Sequence, residues 1–329
     1  MTDTPKSGPD SMEAPNRTAV TAFVLLGFTE HPKLRPLLAI LFFALFLLMH
    51  LVTLSGHLAI VVVTLADPAL DTPMYFFLRN LSSIEICYTL VIVPKMLANF
   101  LAMSRLISLT ECAAQMYFFI SLGGAECFLL AVMSYDRYVA ICNPLRYTLI
   151  MNRPFCLQLL AAACASGFAL SLGLTALIFR LPFCRSHEIN HFFCDIPPVL
   201  YLACSDTRTD EVAVFLVCTS ILLVPFLLIL ASYALITNTI LRIRSAQGRR
   251  KAFSTCAAHL VVAVLHYGCA IFIYIRPKAS YDLEKDKVVS LIYTNVTPML
   301  YPMIYSLRNK EVKGALGRLW VRTVASGRS

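Results

Sequence analysis

Two acidic residues stand inside long apolar stretches, where an ionised side chain is expensive. Glu85 lies within residues 74–99 and Glu126 within residues 112–136. An ionised acid at the centre of a lipid bilayer costs roughly 2.5 to 3.5 kcal/mol or more. If these stretches cross a membrane, both side chains should therefore face the protein interior and find partners there.

An acid and a base are adjacent at the end of the second of these stretches. Asp136 is followed directly by Arg137. An ion pair at the end of a helix can be broken by a conformational change, so protonation or partner binding could bias two states. The alternative is a solvated pair at the membrane interface, and these two residues alone favour neither interpretation.

Four of the twelve cysteines are predicted to lie on the outer, oxidising side: Cys112 at the start of the third apolar stretch, and Cys184, Cys194 and Cys204 in the long loop at 180–211. Four cysteines allow two disulfides in three connectivities, which spacing alone does not resolve. His187, Glu188 and His191 could instead make a metal site with a thiolate. Disulfides are favoured because exposed thiols in an oxidising compartment usually oxidise.

The elements that must position these groups follow from composition. Of 329 residues, 58% are hydrophobic and 14% charged, whereas a soluble domain has ~45–50% apolar and ~25% charged residues. Since ~20 apolar residues cross a bilayer and lipid-exposed backbone must be helical, seven membrane helices are predicted. They fall within residues 36–66, 74–99, 112–136, 154–179, 212–241, 252–275 and 288–307. The fold class is an all-α membrane protein, a seven-transmembrane helix bundle.

Three regions result: a tail at 1–36, a bundle at 37–307 and a second tail at 308–329. In the stretch after Tyr305, which continues into the second tail, Leu307, Val312, Leu316 and Leu319 recur at near-helical spacing among basic residues. This pattern predicts a short amphipathic helix on the membrane surface, with a disordered basic tail as the alternative. No cleavable signal peptide is visible, so the first helix should act as its own insertion signal.

Charge sets the orientation. The N-terminal side carries 13 basic and 13 acidic residues, and the opposite side carries 15 basic and 4 acidic. The positive-inside rule places the N-terminus outside the cell and the C-terminus in the cytoplasm. The net charge of +9 therefore needs no nucleic-acid partner. Asn16 begins an Asn-Arg-Thr sequon in the outer tail and is predicted to be glycosylated.

Four motifs carry a resemblance to a known family. The third stretch ends in MSYDRYVAICNPLRY at 133–147, with PMYFFL at 73–78, KAFSTCAAHL at 251–260 and PMLYPMIYSLRNKEVKGAL at 298–316. The chain resembles olfactory receptors of the tetrapod-type class, within the rhodopsin-like G-protein-coupled receptors, from about Phe23 to Leu316. The resemblance implies a plasma-membrane receptor, without enzyme activity or cofactor, that raises cyclic AMP through a stimulatory, olfactory-type heterotrimeric G protein.

The resemblance also assigns roles to residues. It implies disulfides Cys112–Cys194 and Cys184–Cys204. It places Asp136 as the acid that restrains the resting state and Arg137, with Tyr138 beside it, at the G-protein surface. The tyrosines that swing toward that arginine match Tyr233 and Tyr305.

Glu85 and Glu126 match buried acids of the family and together resemble a sodium or proton site. A network of protonated, hydrogen-bonded acids is the equally weighted alternative. Beside them the chain departs from the family, with His57 after Gly56 and Tyr301 before Pro302 where asparagines are expected. We hypothesise that His57 and Glu85 form a pair that makes activation pH-sensitive; impaired coupling is the competing interpretation.

Helical spacing predicts the faces of a ligand site in the outer half of the bundle. For any single apolar residue among them, ordinary helix packing is the favoured interpretation. The candidates are Met116, Phe119, Ile120, Gly123, Cys218, Ile221, Tyr267, Ile271, Tyr274, Tyr293 and Thr294.

The ligand predicted for this site is a small, neutral, mostly apolar molecule held by hydrogen bonds from Tyr267, Tyr274 or Thr294. A cationic amine is disfavoured because the third helix offers no carboxylate to pair with it at the depth of Phe119. The absence of lysine from 288–307 excludes a retinal Schiff base.

The predicted function is that of an odorant receptor in the plasma membrane, surrounded by lipid and located in olfactory cilia. Two alternatives remain. One is a chemoreceptor of the same fold with a non-odorant role. The other is an ion-coupled transporter that uses Glu85 and Glu126. This alternative is disfavoured because the sequence shows no internal repeat of the kind typical of transporters.

Overall fold

The computed structural model describes residues 20–27, 35–101, 105–183, 186–204, 208–275, 283–308 and 310–326. Within them the chain forms a seven-helix bundle, confirming the predicted fold class. Spans one to six are, in order, Arg35–Ala66, Pro73–Leu101, Leu109–Cys142, Arg153–Phe179, Arg208–Leu241 and Ala246–Tyr274. Within the described ranges, these six contain helical stretches long and apolar enough to cross a membrane.

Span seven is made of three consecutive pieces. An α-helix at Leu283–Leu291 runs into a π-helical segment at Ile292–Val296 and then an α-helix at Thr297–Arg308. The interruption stands next to Pro298, and Pro302 lies one turn further on; neither has an N–H for the helical ladder. Span seven is therefore irregular beside the buried acids, which hydropathy alone did not predict.

Three short strands cover the end of the bundle that holds the N-terminus, which we call the N-terminal end. The middle strand Ala22–Leu25 pairs antiparallel with Leu106–Ser108 and parallel with Glu188–Ile189. After it, Gly27 takes a positive φ of 60° and lies against the ring of Phe192. The chain ahead of span one is thus part of the cover over the bundle.

Span three is the centre of the bundle, and 72% of an 18-residue apolar stretch within it is buried. A capping box begins it, in which Ser108 and Glu111 each accept a hydrogen bond from the other's backbone N–H. It crosses span four at two glycines. A Cβ on Gly167 would lie 2.5 Å from the carbonyl oxygen of Ser121, and one on Gly124 would lie 3.3 Å from the Cα of Gly167. Only glycine permits this backbone approach.

The opposite end, which we call the C-terminal end, carries the predicted amphipathic helix at Lys310–Ser326. Val312 and Ala315 are fully buried against the bundle. The Tyr75 hydroxyl donates to Glu311 at 2.6 Å, and Arg318 pairs with Asp67 at 2.5 Å. These contacts join the helix to spans one and two, where the alternative interpretation expected a disordered tail.

Candidate functional site

A cavity lies between spans three to seven, close to the N-terminal end. About 430 Å³ of space between atoms belongs to it, a volume that includes the solvent at its open mouth. Seven predicted ligand residues line it: Phe119, Ile120, Gly123, Cys218, Ile221, Tyr274 and Tyr293. The structure therefore brings faces predicted on four different spans around one space.

Four predicted ligand residues are outside this lining. Met116 is fully buried, and Ile271 packs against the hydrophobic core. The hydroxyl of Tyr267 donates to the carbonyl oxygen of Cys127 at 2.7 Å, and that of Thr294 donates to Ser290 at 2.8 Å. These two hydroxyls are thus used within the protein and are not directed at a ligand.

Sequence reasoning missed six lining residues: Gly124, Cys127, Leu174, Ile196, Leu222 and Ala270. Leu174 belongs to span four, whose uniformly apolar sequence shows no preferred face. Ile196 begins a short helix at Ile196–Leu200 in the loop after span four. Its only sequence signal was the Asp195-Ile-Pro-Pro pattern, an N-cap residue followed by prolines in the first turn.

One wall residue of the cavity, Tyr274, is hydrogen-bonded to Asp195. The tyrosine hydroxyl donates to Asp195 Oδ1 at 2.8 Å, and the N–H of Ile196 donates to the same oxygen at 2.7 Å. The carboxyl is 1% exposed, and burial raises its pKa to about 6 despite these two donors. An acid that sequence reasoning did not select therefore stands behind Tyr274.

A buried polar cluster lies below the cavity. The carboxyl groups of Glu85 and Glu126 are close enough to interact with each other. Glu126 Oε2 also lies 3.6 Å from Nδ1 of His266. That same Nδ1 shares a hydrogen bond with the Tyr301 hydroxyl at 2.9 Å, and Nε2 lies 3.3 Å from the Cys127 sulfur.

His266 therefore connects the predicted cluster to a residue of the cavity wall. His266 could not be selected from the sequence, because one histidine in an apolar run gives no spacing signal. Tyr301, an atypical residue by the resemblance, has a defined partner in His266.

The hypothesised pair of His57 with Glu85 is not formed. His57 Nε2 donates to the carbonyl oxygen of Pro298 at 3.0 Å, and Nδ1 has no hydrogen-bond partner among the described residues. In a regular helix the Pro298 carbonyl would accept from the N–H four residues on, but that residue is Pro302, which has no N–H, so the carbonyl is available to span one. His57 thus connects span one to span seven, and the proposed source of pH sensitivity was wrong.

One disulfide joins span three to the loop after span four. Cys112 and Cys194 are bonded, with Cα atoms 5.4 Å apart. The backbone N–H of Cys194 also donates to Oε1 of Gln115, one turn along span three. Cys204 is disulfide-bonded, and its implied partner Cys184 lies outside the described residues, as does Asn16.

The competing metal site is not formed. Among the described residues no group of three potential ligands surrounds a common point. His191 is buried, its Nδ1 accepts from the N–H of Phe193, and burial lowers its pKa to about 3. His187 and Glu188 are exposed.

At the C-terminal end of span three, Asp136 and Arg137 form an ion pair. Arg137 Nη2 lies 2.5 Å from Asp136 Oδ2, and the Tyr147 hydroxyl donates to Oδ1 at 2.7 Å. Burial and the adjacent Asp136 raise the pKa of Tyr147. The acid is 1% exposed, so this pair is not the solvated one of the alternative interpretation.

The other predicted switch residues surround this pair. The Tyr233 hydroxyl and His259 Nδ1 share a hydrogen bond of 2.8 Å between spans five and six. The Tyr305 hydroxyl is buried without a partner in the described part of the chain. Tyr138 is half-buried against the core. Tyr147 and His259 are the two residues here that sequence reasoning missed.

Comparison with known proteins agrees with this arrangement. Residues 46–323 match the family model described as olfactory receptor. The human protein named olfactory receptor 10Q1 is 53% identical over 312 residues, 94% of this chain and 97% of its own length. Human olfactory receptor 10C1 is 53% identical over 309 residues, 94% of this chain and 98% of its own. Human olfactory receptor 10K2 is 49% identical over 314 residues, which are 95% of this chain and 99% of its own length.

Proposed function

The chain belongs to the olfactory receptor family, and we propose that it is an odorant receptor activated by small, mostly apolar volatile molecules. Membership makes it a multi-pass plasma-membrane protein of the rhodopsin-like receptor type, which signals and is not an enzyme. The proposal adds its orientation, with the N-terminal end outside the cell, and a stimulatory G protein that raises cyclic AMP. It also adds location in olfactory cilia.

The observation that carries the proposal is that cavity and ion pair are parts of one helix. Phe119, Ile120 and Gly123 line the cavity near the start of span three, and Asp136 and Arg137 end it. A ligand that binds one arrangement of the bundle better than another shifts the population between them. Helix contacts around span three then carry that preference to the Arg137 region.

Two histidines, which make three polar contacts, make span six the moving partner in this proposal. His266 lies against Cys127 of the cavity wall and Tyr301 of span seven, and His259 bonds to Tyr233 of span five. Rotation of span six would change all of these contacts together. We propose that this frees Arg137 from Asp136, so that Arg137 and Tyr138 meet the G protein, with Tyr233 and Tyr305 turning toward the arginine.

The buried acids fit a small cation or a proton. Glu85 Oε2 and Glu126 Oε1 are buried and have no hydrogen-bond partner among the described residues. Carboxylate oxygens can bind either a sodium ion or a proton. The bound cation would neutralise the negative charge of the acids, whose burial is costly. Tyr301 and His266 border the same site.

Several features remain proposals on the sequence and the resemblance. These are glycosylation of Asn16, the Cys184–Cys204 disulfide and the roles of the seven predicted lining residues. Predicted ligand roles for Met116, Tyr267, Ile271 and Thr294 would require a ligand that reaches beyond the cavity lining.

A panel of volatile compounds tested on transfected cells examines the function directly. We expect at least one compound to raise cyclic AMP, and Arg137→Ala at equal surface expression to abolish the response. A response that survives Arg137→Ala would overturn the proposed coupling. Ligand-dependent ionic current from the receptor alone would favour the transporter instead, and expression only outside olfactory tissue would favour a non-odorant chemoreceptor.

A further inference from the structure

We propose that the cavity selects ligands with a hydroxyl group, because Asp195 makes Tyr274 a hydrogen-bond acceptor toward the ligand. This inference rests on the proposed function and adds the chemical class of the ligand. It assigns Asp195 the role of a positioning residue, which acts through Tyr274.

The first step is the direction of the hydrogen bond. A tyrosine hydroxyl has one hydrogen to donate, and a carboxylate only accepts. The Tyr274 hydroxyl lies 2.8 Å from Asp195 Oδ1, so its hydrogen points to the acid. What remains for the cavity is a lone pair of the tyrosine oxygen, which binds a donor and not a carbonyl or ether oxygen.

The second step is that Asp195 itself is set back from the ligand. Tyr274 and Ile196 line the cavity, whereas Asp195 is fully buried behind them and also accepts from the N–H of Ile196. A cationic amine would have to displace Tyr274 to reach the carboxyl. The arrangement therefore favours a neutral hydroxyl, such as that of an alcohol or phenol, over an amine.

The third step is that other hydroxyls and the thiol nearby do not reverse this preference. The Tyr267 hydroxyl already donates to the carbonyl oxygen of Cys127, and the Cys127 sulfur contacts His266. The remaining wall is mainly aliphatic and aromatic, and its other polar atoms are the Cys218 thiol and the Tyr293 hydroxyl. Tyr274 differs from both because its hydroxyl hydrogen is held by an acid outside the lining.

The test uses three probes of one carbon skeleton on the purified full-length receptor: a straight-chain primary alcohol of roughly eight carbons, its methyl ether and its aldehyde. Only the alcohol donates a hydrogen bond. Binding is measured as ligand-induced thermal stabilisation, which does not depend on G-protein coupling. We expect the wild-type receptor to bind the alcohol about threefold to tenfold more tightly than either acceptor-only probe.

Three variants separate positioning from structure. Tyr274→Phe should bind all three probes equally. Asp195→Leu frees the Tyr274 hydrogen, so the aldehyde should gain affinity while the alcohol loses its advantage. Asp195→Asn keeps an accepting carbonyl oxygen and should retain a preference for the alcohol. Asp210→Asn, which alters an outer ion pair with Arg180, is the matched control and should behave as wild type.

Equal weakening of all three probes in Asp195→Leu would overturn the proposal, because a purely structural role predicts that result. Tighter binding of the corresponding primary amine than of the alcohol, lost in Asp195→Asn, would overturn it in favour of a direct ion pair. The proposal would also be overturned if none of the three probes stabilised the receptor. Retained selectivity without any cyclic AMP response would support the inference and reject the proposed coupling.

Discussion

The two ends of the bundle are held together in different ways. At the N-terminal end a disulfide, a three-stranded sheet and the buried Lys287, which donates to the Gly27 carbonyl at 3.1 Å, bind loops and helices into one cover. At the C-terminal end, the polar links between spans described above are single side-chain contacts such as Tyr233–His259. The N-terminal end, which contains the cavity, is therefore held rigidly, whereas the contacts at the C-terminal end can be exchanged when the conformation changes.

Removing the disulfide should have the largest effect on this contrast. Cys194→Ser frees the loop from span three, and loss of a native disulfide typically costs about 2–5 kcal/mol. We expect strongly reduced surface expression and a lower unfolding temperature of the purified receptor. Cys87→Ser, at an exposed free cysteine, is the control. Equal stability of the two variants would mean that the cover does not depend on this bond.

The crossing of spans three and four should be the next most sensitive point, because it links the two ends. Gly167→Ala forces a Cβ to 2.5 Å from the Ser121 carbonyl oxygen, and such overpacking costs about 1–3 kcal/mol. Thermal unfolding measures the loss. Gly173→Ala lies in the same span with nothing within 4 Å of the added carbon, and it should be neutral or slightly stabilising. Similar losses in both variants would contradict the packing argument.

Asp136→Asn should loosen the C-terminal end alone. Removing the charge weakens the bond to Arg137, and a change of ~1.4 kcal/mol in the resting bias is tenfold in population. Basal cyclic AMP, normalised to surface receptor, should therefore rise severalfold. Asp71→Asn is the control, since its ion pair with Arg153 is largely exposed. Unchanged basal activity would show that this pair does not restrain the resting state.

His266→Phe tests whether the ends communicate through the buried cluster. The change removes the contacts with Tyr301 and Cys127, each worth about 0.5–1.5 kcal/mol. We expect the maximal cyclic AMP response to fall by a few fold while ligand-induced stabilisation changes less. His50→Phe, in span one, should leave the response unaltered. Parallel losses of binding and response would place His266 in the binding site instead.

The smallest expected effect is a pH dependence of the cover. The raised pKa of Asp195, about 6 in the folded state, means that the folded state binds the extra proton and stability falls as pH rises from about 4 to 6. The lowered pKa of His191, about 3, has the opposite sign: stability falls as pH decreases below about 6.5. These two contributions have opposite signs and partly cancel each other between pH 4 and 6.

The variants separate these two groups. Asp195→Asn should lose stability relative to wild type as pH falls from 6 to 4, measured by thermal unfolding. His191→Gln should gain relative to wild type over that range. Asp286 lies close enough to raise the pKa of Asp195, and Lys287 lowers that of His191, so both are kept unchanged. Identical pH profiles for all three proteins would contradict both assignments.

Hydropathy predicted the spans well because burial in lipid acts on every residue of a long segment. Helical spacing also predicted the cavity face of span three, where Phe119, Ile120 and Gly123 recur at intervals of a turn. It did not identify Leu174, because span four is apolar all round. Ile196 was missed because it reaches the cavity from a loop whose path depends on the Cys112–Cys194 bond.

The misses in the polar cluster have a different cause. His57 and Tyr301 were recognised as unusual, but their partners are set by tertiary packing. The Pro298 carbonyl is available to His57 because Pro302, four residues on, has no N–H to donate to it, and His266 meets Tyr301 across two spans. Strand pairing by Ala22–Leu25 likewise depends on loops that are distant in sequence.

That N-terminal strand has a practical consequence for studies in heterologous cells. A reporter epitope joined ahead of Val20 leaves the pairing of Ala22–Leu25 with both neighbouring strands intact. Deleting the chain through Leu25 would remove the middle of three strands and leave the two outer ones without a common neighbour. Trafficking leaders should therefore be added to this receptor and not exchanged for its own first segment.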